Sequence, residues 1–317
     1  MKKQIPIFFA IDNSYAPFLS VALNSLADHS SKKREYDITV LYKDLEPKNM
    51  HRLKAFERDN IKITFKNMTV NLDAFDDRYE NRFRCDYILA IYFRLFIANM
   101  FSHLDKAIYL DSDIVLNDDI ANLYDIDIKD NLLGGCYDTS ISHNSVLYGY
   151  TEKAIGVKKT EYINSGILLM NLKEMRQQKF QEHFLNLLNK YHFDSVAPDQ
   201  DYINAICNGK IYYLDRKWDA MPDEMDKPLK QPSLIHFNLF SKPWHYSDIQ
   251  YEEYFWRYAK TSGYLNEILT VKESFDQGKR EKDMACMKRL IERAGEISKS
   301  NVTFNTALKN GEKIRIC

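Results

Sequence analysis

The sequence KAIYLDSDIVLN, residues Lys106–Asn117, contains two apolar runs interrupted by Asp111, Ser112 and Asp113. The first run predicts a buried strand, and alternation along an extended chain points Asp111 and Asp113 to the same side. Two like charges held this close repel each other, and burial raises the cost further. A divalent cation relieves both effects, and carboxylate oxygens suit Mg²⁺ or Mn²⁺. The stretch therefore predicts a metal site that presents a phosphorylated ligand at the carboxyl edge of a sheet, although a solvated capping turn would use the same residues.

The composition is that of a large globular domain. The chain has 317 residues, of which 45% are apolar, and its formal net charge is −1. This balance leaves no broad basic field, so we expect no nucleic-acid partner. The cysteines show no Cys-x-x-Cys spacing, which argues against a zinc site or a disulfide framework and favours a reducing compartment. They are Cys85, Cys136, Cys207, Cys286 and Cys317.

The N-terminal stretch MKKQIPIFFAIDNS is interpreted as the first strand. Its apolar run is too short for the core of a signal peptide, and no small-residue cleavage pattern follows it. No stretch of the sequence is long enough to span a bilayer. We therefore expect a cytoplasmic protein, either free or peripheral at the inner face of the membrane.

Strand-like and helix-like segments alternate from Ile5 to Phe65, which is typical of a parallel α/β sheet. Ligands of such sheets bind beyond the carboxyl ends of the strands. Asp12 and Ser14 follow the first predicted strand, so they are expected either to meet a nucleotide or to cap a turn. No glycine fingerprint for a dinucleotide is present, which weighs against an NAD enzyme.

Three features of the middle of the chain bear on a binding site. Arg94 is surrounded by aromatic residues and could reach a phosphate or the aspartate pair, or could extend to the surface. Residues Thr139–Glu161 show no period and are predicted to form a long loop. Gly166, at the entry to a predicted strand, indicates close approach of another backbone or of a ligand.

Two later segments add candidate site residues. Asp199 and Asp201 suit the N-terminus of a predicted helix, whereas Gln200 between them has no such explanation. A predicted strand ends at His236, and Lys242 follows a short turn later. A lone histidine is more often structural, but a histidine can complete a metal site built from two carboxylates. The lysine can neutralise a phosphate, and its proximity favours the functional interpretation.

From Ser247 onward the chain shows helical segments and no strand signal. We predict a catalytic domain over residues 1–245 and a C-terminal helical extension over residues 246–317. The extension either packs on the core or lies on a membrane surface. Its basic and acidic residues nearly balance, so the electrostatic case for lipid is weak.

Six motifs occur in the order found in glycosyltransferase family 8, namely FFAIDNSY, IYFRL, YLDSDIVL, INSGILLMNL, PDQDYIN and HFNLFSKPWH. From Ile5 to His245 the chain therefore resembles this family, which includes bacterial lipopolysaccharide galactosyl- and glucosyltransferases and glycogenin. The resemblance implies a GT-A fold, which is a Rossmann-like nucleotide-binding α/β domain with a mixed sheet flanked by helices. The predicted C-terminal helices would form a small appendage to it. The resemblance also implies a UDP-sugar donor, Mn²⁺ with Mg²⁺ as the alternative, and retention of the anomeric configuration.

The resemblance further implies roles for individual residues. The positions that match the metal ligands are Asp111, Asp113 and His236. The positions that match nucleotide and diphosphate contacts are Ala10, Asp12, Tyr15, Arg94, Asp111, Ser112 and Lys242. The catalytic positions around the donor sugar are Asp138, Asn164, Asp199 and Gln200, with Gln200 beside the anomeric carbon.

Two positions depart from the family pattern. Ser14 stands where close relatives often have an asparagine that faces the nucleotide. Leu239 stands where many members have a glycine that lets the backbone approach the diphosphate. The nucleotide contact at position 14 is therefore not carried over from the family, and we expect the Leu239 side chain to reshape the pocket.

The matches predict a hexosyltransferase that moves galactose or glucose from a UDP-hexose to a glycan or glycolipid acceptor in lipopolysaccharide biosynthesis. The expectation includes peripheral membrane contact through the C-terminal helices. A catalytically inactive nucleotide-sugar-binding protein is the alternative. A metal-dependent phosphatase or nucleotidyltransferase could use the same aspartates, but that function leaves His236 and Lys242 unexplained.

Overall fold

The computed structural model describes residues 3–68, 90–223 and 225–316. The strands in these ranges are β1 (Lys3–Ile11), β2 (Arg34–Tyr42), β3 (Ile61–Asn67), β4 (Ala107–Leu110), β5 (Ile114–Leu116), β6 (Leu133–Gly135), β7 (Ile167–Met170), β8 (Ile211–Tyr213) and β9 (Leu234–His236). Within the described residues, seven of them form one sheet in the order β3-β2-β1-β4-β7-β6-β8. The remaining two, β5 and β9, form a separate antiparallel pair.

The helices surround this sheet. The α-helices of the described ranges are α1 (Ala16–His29), α2 (Pro47–Leu53), α3 (Ile97–Met100), α4 (Ala121–Tyr124), α5 (Ser145–Tyr150), α6 (Leu172–Gln177), α7 (Phe180–Tyr191), α8 (Pro198–Cys207), α9 (Glu252–Ala259), α10 (Leu265–Glu273), α11 (Gln277–Ile297) and α12 (Phe304–Lys309). Short 3-10 helices lie at Asn13–Tyr15, Lys54–Phe56, Ala90–Phe96, Thr139–Ile141 and Arg216–Trp218, and a π turn lies at Thr151–Ile155.

The first half of the sheet is parallel. β1 is buried on both faces, as its apolar sequence KQIPIFFAI predicts, and it lies between β2 and β4. β3 pairs with the far side of β2. Parallel strands bring their carboxyl ends to one edge, so Asp12 after β1 and Asp111 after β4 lie at the same edge of the sheet.

The second half of the sheet brings later segments to that edge. β7 runs antiparallel to β4, and Ile167 pairs with Leu110, so the residues before β7 lie beside Asp111. The Asp111 N–H donates to the carbonyl of Gly166 at 2.7 Å. In the smaller sheet Ile114 pairs with His236, which places the histidine close to the aspartate pair. The mixed α/β sheet flanked by helices is as predicted.

The C-terminal helices pack on the core. α9 and α10 contact α1, α11 contacts α5, and α12 contacts the π turn Thr151–Ile155. The predicted helical appendage is confirmed, and the boundary at residue 245 stays a prediction. Among the described residues, the structure contains no helix that combines the length and the apolar character needed to cross a bilayer.

The prediction of a loop over Thr139–Glu161 is wrong. The segment contains α5 and a helical turn on each side of it. Asn144 caps α5, because its side-chain oxygen accepts from the N–H groups of Val146 and Leu147. α5 has six residues and the following π turn five, which is too short for a hydrophobic period to be visible in the sequence.

Two of the cysteines are buried thiols. Cys136 and Cys207 form no disulfide, and burial raises the pKa of both side chains. Raised pKa values make both thiols poor nucleophiles. Cys85 and Cys317 lie outside the described residues.

Candidate functional site

The three predicted metal ligands come together at the carboxyl edge of the sheet. Asp111 and Asp113 lie between β4 and β5, and His236 ends β9. His236 Nε2 lies 3.3 Å from Asp113 Oδ1 and 3.9 Å from Asp111 Oδ2. One ligand atom from each residue lies within 4.8 Å of the other two. This spacing allows one cation to contact all three side chains.

Two features show that these residues fit a small divalent cation. His236 Nε2 is buried and has no hydrogen-bond partner among the described residues. Buried polar atoms without a partner are rare, and this one faces the carboxylates. Gly166 keeps the space beside them open, because a Cβ there would lie 2.5 Å from His236 Cε1 and 2.7 Å from Asp111 Oδ2.

Lys242 neutralises the carboxylate of Asp113 in this structure. The Lys242 ammonium contacts Asp113 Oδ2 and donates to the carbonyl of Phe237 at 2.6 Å. Although burial raises the pKa of Asp113, Lys242 and His236 hold this pKa below its ordinary value. The resemblance implies a diphosphate contact for Lys242, and the structure places its ammonium directly beside one predicted metal ligand.

Asp219 lies on the other side of the His236 ring, and the sequence reasoning missed it. Asp219 Oδ1 is 3.1 Å from His236 Nδ1. Burial raises the pKa of Asp219 to about 6. Burial lowers the pKa of His236, but Asp113 and Asp219 together raise it to about 10. No local signal marks Asp219, which follows a short 3-10 helix in a segment of mixed charge.

Arg94 connects the aspartate pair to the residues predicted around the donor sugar. Its side chain is buried, which excludes an extended surface arginine. Arg94 Nη2 donates to Asp111 Oδ1 at 2.9 Å, and Nε lies 3.2 Å from Asp199 Oδ2. The guanidinium also lies 4.2 Å from the centre of the Tyr109 ring. Arg94 therefore fixes the relative positions of Asp111 and Asp199.

All four residues predicted around the donor sugar belong to one buried network. Gln200 Nε2 donates to Asp138 Oδ2 at 2.8 Å, and Gln200 Oε1 accepts from the Ser165 N–H at 2.9 Å. Asn164 Nδ2 lies 3.4 Å from the same oxygen of Asp138. Ser165 Oγ donates to Asp199 at 2.9 Å. Ser165, which the sequence reasoning did not select, therefore connects Gln200 to Asp199.

The predicted nucleotide contacts lie at the carboxyl ends of β1 and β4. Asp12 accepts from the N–H groups of Ser14 at 2.8 Å and Tyr15 at 3.1 Å, so it caps the 3-10 turn that follows β1. Ala10 is half-buried near the end of β1, and Ser112 is buried between the two aspartates. The structure thus shows the capping role of Asp12, and its nucleotide contact stays a prediction.

Leu239 adopts a left-handed backbone conformation with a φ of 51°. Its side chain is exposed, and such a φ favours glycine, the residue that the resemblance implies at this position. We expect Leu239→Gly to raise the free energy of unfolding by about 1 kcal/mol, measured by urea denaturation. Leu239→Ala is the control, because it shortens the side chain but keeps the Cβ. An equal gain in the alanine variant would contradict a backbone origin.

Asp201 anchors the start of α8, next to Gln200. Its carboxylate accepts from the hydroxyls of Tyr150 and Tyr162, each at 2.6 Å, and also contacts Ser195 Oγ. Burial raises the pKa of Asp201 to about 6. The sequence reasoning explained Asp201 by its helix position alone, because its tyrosine partners lie 51 and 39 residues away.

We expect Asp201→Asn to change how stability depends on pH. The folded pKa of about 6 exceeds the ordinary value of 3.8, so the folded chain binds this proton more tightly than the unfolded chain. The contribution of Asp201 to the free energy of unfolding is therefore complete below the ordinary pKa and lost as pH rises through the folded one. Between about pH 4 and about pH 7, the free energy of unfolding measured with urea should fall less in the variant than in the wild type. The difference should be roughly 1–3 kcal/mol. Equal losses in both proteins would contradict the assignment.

The architecture matches a solved glycosyltransferase. The crystal structure of galactosyltransferase LgtC in complex with donor and acceptor sugar analogs gives a TM-score of 0.68 at 27% identity, covering 81% of this chain and 96% of that chain. The mixed sheet, with the Asp111–Asp113–His236 group at its carboxyl edge, therefore has the GT-A fold that the resemblance implied.

The chain belongs to glycosyl transferase family 8, whose family model matches residues 6–248. A Haemophilus influenzae protein with a provisional glycosyltransferase name is 30% identical over 249 residues, covering 75% of this chain and 72% of the relative. Lipopolysaccharide 1,2-glucosyltransferase of Escherichia coli K12 is 26% identical over 169 residues. That match covers 49% of this chain and 49% of the enzyme, about half of each.

Proposed function

We propose that this chain is a metal-dependent hexosyltransferase that moves galactose or glucose from a UDP-sugar to a hydroxyl of a glycan or glycolipid acceptor with retention of configuration. The observation that carries the proposal is the Asp111–Asp113–His236 group, in which Nε2 of His236 faces two carboxylates and has no hydrogen-bond partner among the described residues. LgtC, whose structure is described with donor and acceptor sugar analogs, supports a sugar donor. The name of the Escherichia coli relative supports an acceptor in lipopolysaccharide.

The proposed roles follow from the charges at the carboxyl edge. Mn²⁺, or Mg²⁺ in its place, would stabilise the negative charge that develops on the diphosphate leaving group. Asp111 and Asp113 would hold the cation through carboxylate oxygens, and His236 would hold it through Nε2. Lys242, which lies against Asp113, supplies a second positive charge at the same edge. The further residues proposed to bind the nucleotide are Ala10, Asp12, Tyr15, Arg94 and Ser112.

The buried network favours attack of the acceptor hydroxyl on the face of the sugar from which UDP departs. A double displacement needs a carboxylate nucleophile at the anomeric carbon, and the resemblance places Gln200 there. Gln200 is an amide with both ends hydrogen-bonded, and the carboxylates of Asp138 and Asp199 both accept hydrogen bonds within the network. We therefore propose that these residues orient the sugar and stabilise the positive charge that develops on it. The departing phosphate takes up the acceptor proton.

Gln200→Ala tests this route. We expect the rate of UDP release to fall by about tenfold, the effect of losing one hydrogen-bonding group worth roughly 1–2 kcal/mol. Gln178→Ala is the matched control, since in the described part of the chain the side chain of this glutamine bonds only to Glu174 at a helix end. A loss approaching about a millionfold, as seen when an enzyme nucleophile is removed, would contradict front-face attack.

The experiment that tests the function is UDP release from a panel of UDP-sugars without acceptor, in Mn²⁺ and in chelator. We expect slow, metal-dependent hydrolysis of one UDP-hexose, because water can replace the acceptor hydroxyl. Adding candidate glycans should then accelerate release of UDP from that donor alone.

The other outcomes separate the alternatives. Metal-dependent UDP binding without release from any donor, with or without glycans, would support a binding-only protein. Release of inorganic phosphate or pyrophosphate in place of UDP would support a phosphatase or nucleotidyltransferase. An equal rate in Mn²⁺ and in chelator would contradict the metal assignment.

A further inference from the structure

Three consecutive atoms of the His236 ring face different neighbours. Nδ1 lies 3.1 Å from Asp219 Oδ1. Cε1 lies against Gly166, where a Cβ would be only 2.5 Å away. Nε2 lies 3.3 Å from Asp113 Oδ1 and has no hydrogen-bond partner among the described residues. The orientation of the ring is therefore fixed, with Nδ1 facing Asp219 and Nε2 facing the aspartate pair.

The backbone holds Asp219 beside the ring. The His236 N–H donates to the carbonyl of Ala220 at 3.0 Å, and the Ala220 N–H donates to the carbonyl of Leu234 at 2.9 Å. These bonds join the segment that carries Asp219 to β9, the strand that ends at His236. The position of Asp219 relative to the histidine is thus set by the same backbone pairing that forms the site.

Burial of Asp219 destabilises the fold. Its side chain is 1% exposed, and Oδ2 has no hydrogen-bond partner among the described residues. Leaving a buried carboxylate oxygen unsatisfied lowers the free energy of unfolding. Its contact with His236 is the feature that accounts for a carboxylate at this position.

We infer that Asp219 is a positioning residue that sets the proton and the orientation of His236 for cation binding. A carboxylate can only accept at Nδ1, so it holds a proton on Nδ1, and a cation bound by His236 would displace the proton of Nε2 and not that of Nδ1. Partners of this kind raise the basicity of a histidine ligand, and their loss weakens metal binding. The inference rests on the proposed function only in taking Asp111, Asp113 and His236 as the cation site.

Mn²⁺ binding to the Asp219→Asn variant tests the inference. The free ion is followed by electron paramagnetic resonance in a titration without donor or acceptor. We expect the Kd for Mn²⁺ to rise by about ten- to hundredfold when it is measured well below the thermal midpoint of the variant, where the chain stays folded. The matched control is Asp215→Asn, which removes the same charge from an exposed side chain that, among the described residues, bonds only the Lys217 N–H. Its Kd should equal that of the wild type.

A double-mutant cycle shows whether Asp219 acts through the histidine. In a His236→Ala background, Asp219→Asn should have no further effect on the Kd. A second loss of the same size there, or a wild-type Kd in the folded single variant, would overturn the inference. If Asp219→Asn does not fold, Asp219→Ser takes its place in the cycle, and failure of both to fold would overturn the inference in favour of a structural role. Absence of Mn²⁺ binding to the wild-type chain would instead refute the proposed metal dependence itself.

Discussion

Asp113→Asn should lower metal-stimulated UDP release by about a thousandfold. The substitution removes one negative charge and replaces one carboxylate oxygen by an amide nitrogen in the group that Asp113 forms with Asp111 and His236. Measuring the rate across a Mn²⁺ titration separates weaker metal binding from slower turnover. Asp105→Asn is the control, because the side chain of Asp105 is 77% exposed. Asp105 also precedes β4, at the end of that strand opposite the cation site. Its rate should match that of the wild type.

The same substitution affects stability through Lys242. The side chains of Lys242 and Asp113 are 8% and 12% exposed, so the asparagine variant leaves a buried ammonium without its counterion. Breaking a buried pair in this way costs about 3–5 kcal/mol, so the assay belongs well below the melting temperature of the variant. Adding Lys242→Met should recover stability without recovering activity. A wild-type rate in the single variant would show that Asp113 is not a metal ligand.

Features that depend on one short segment were predictable from the sequence. The placement of Asp111 and Asp113 follows from an apolar run and a spacing of two, both visible in a dozen residues. Gly166 stood out as a site of close approach, and the structure gives the reason, because a Cβ there would meet His236 and Asp111. The α/β sheet was likewise predictable from the alternation of strand-like and helix-like segments at the start of the chain.

Contacts between distant segments were not predictable. Lys242 reaches Asp113 across 129 residues, and Asp219 faces His236 across 17. Period and composition describe one segment at a time and do not say which segments meet in the fold. The order of the family motifs along the chain contains this long-range information, so it placed His236 with the aspartate pair where the local pattern could not.

Gly166→Ala should raise the Kd for Mn²⁺ by about tenfold and lower UDP release by about a hundredfold. The new Cβ would lie 2.5 Å from His236 Cε1 and 2.7 Å from Asp111 Oδ2, so at least one of these groups must move. Neither is free to do so. His236 is hydrogen-bonded to Asp219 at 3.1 Å, and Asp111 accepts from Arg94 at 2.9 Å. Relieving the clash therefore breaks a contact that orients a ligand.

Gly149→Ala is the matched control for this prediction. Gly149 lies in α5, and apart from its chain neighbours and the nearby helix backbone, no heavy atom of the described residues lies within 4 Å of the position its Cβ would take. Neither Gly149 nor Gly166 has a positive φ, so alanine adopts both backbones without strain. The difference between the two variants thus measures steric crowding at the cation site alone. If Gly166→Ala bound Mn²⁺ as tightly as Gly149→Ala, His236 and Asp111 would have to shift without loss, and a rigid cation site would be the wrong description.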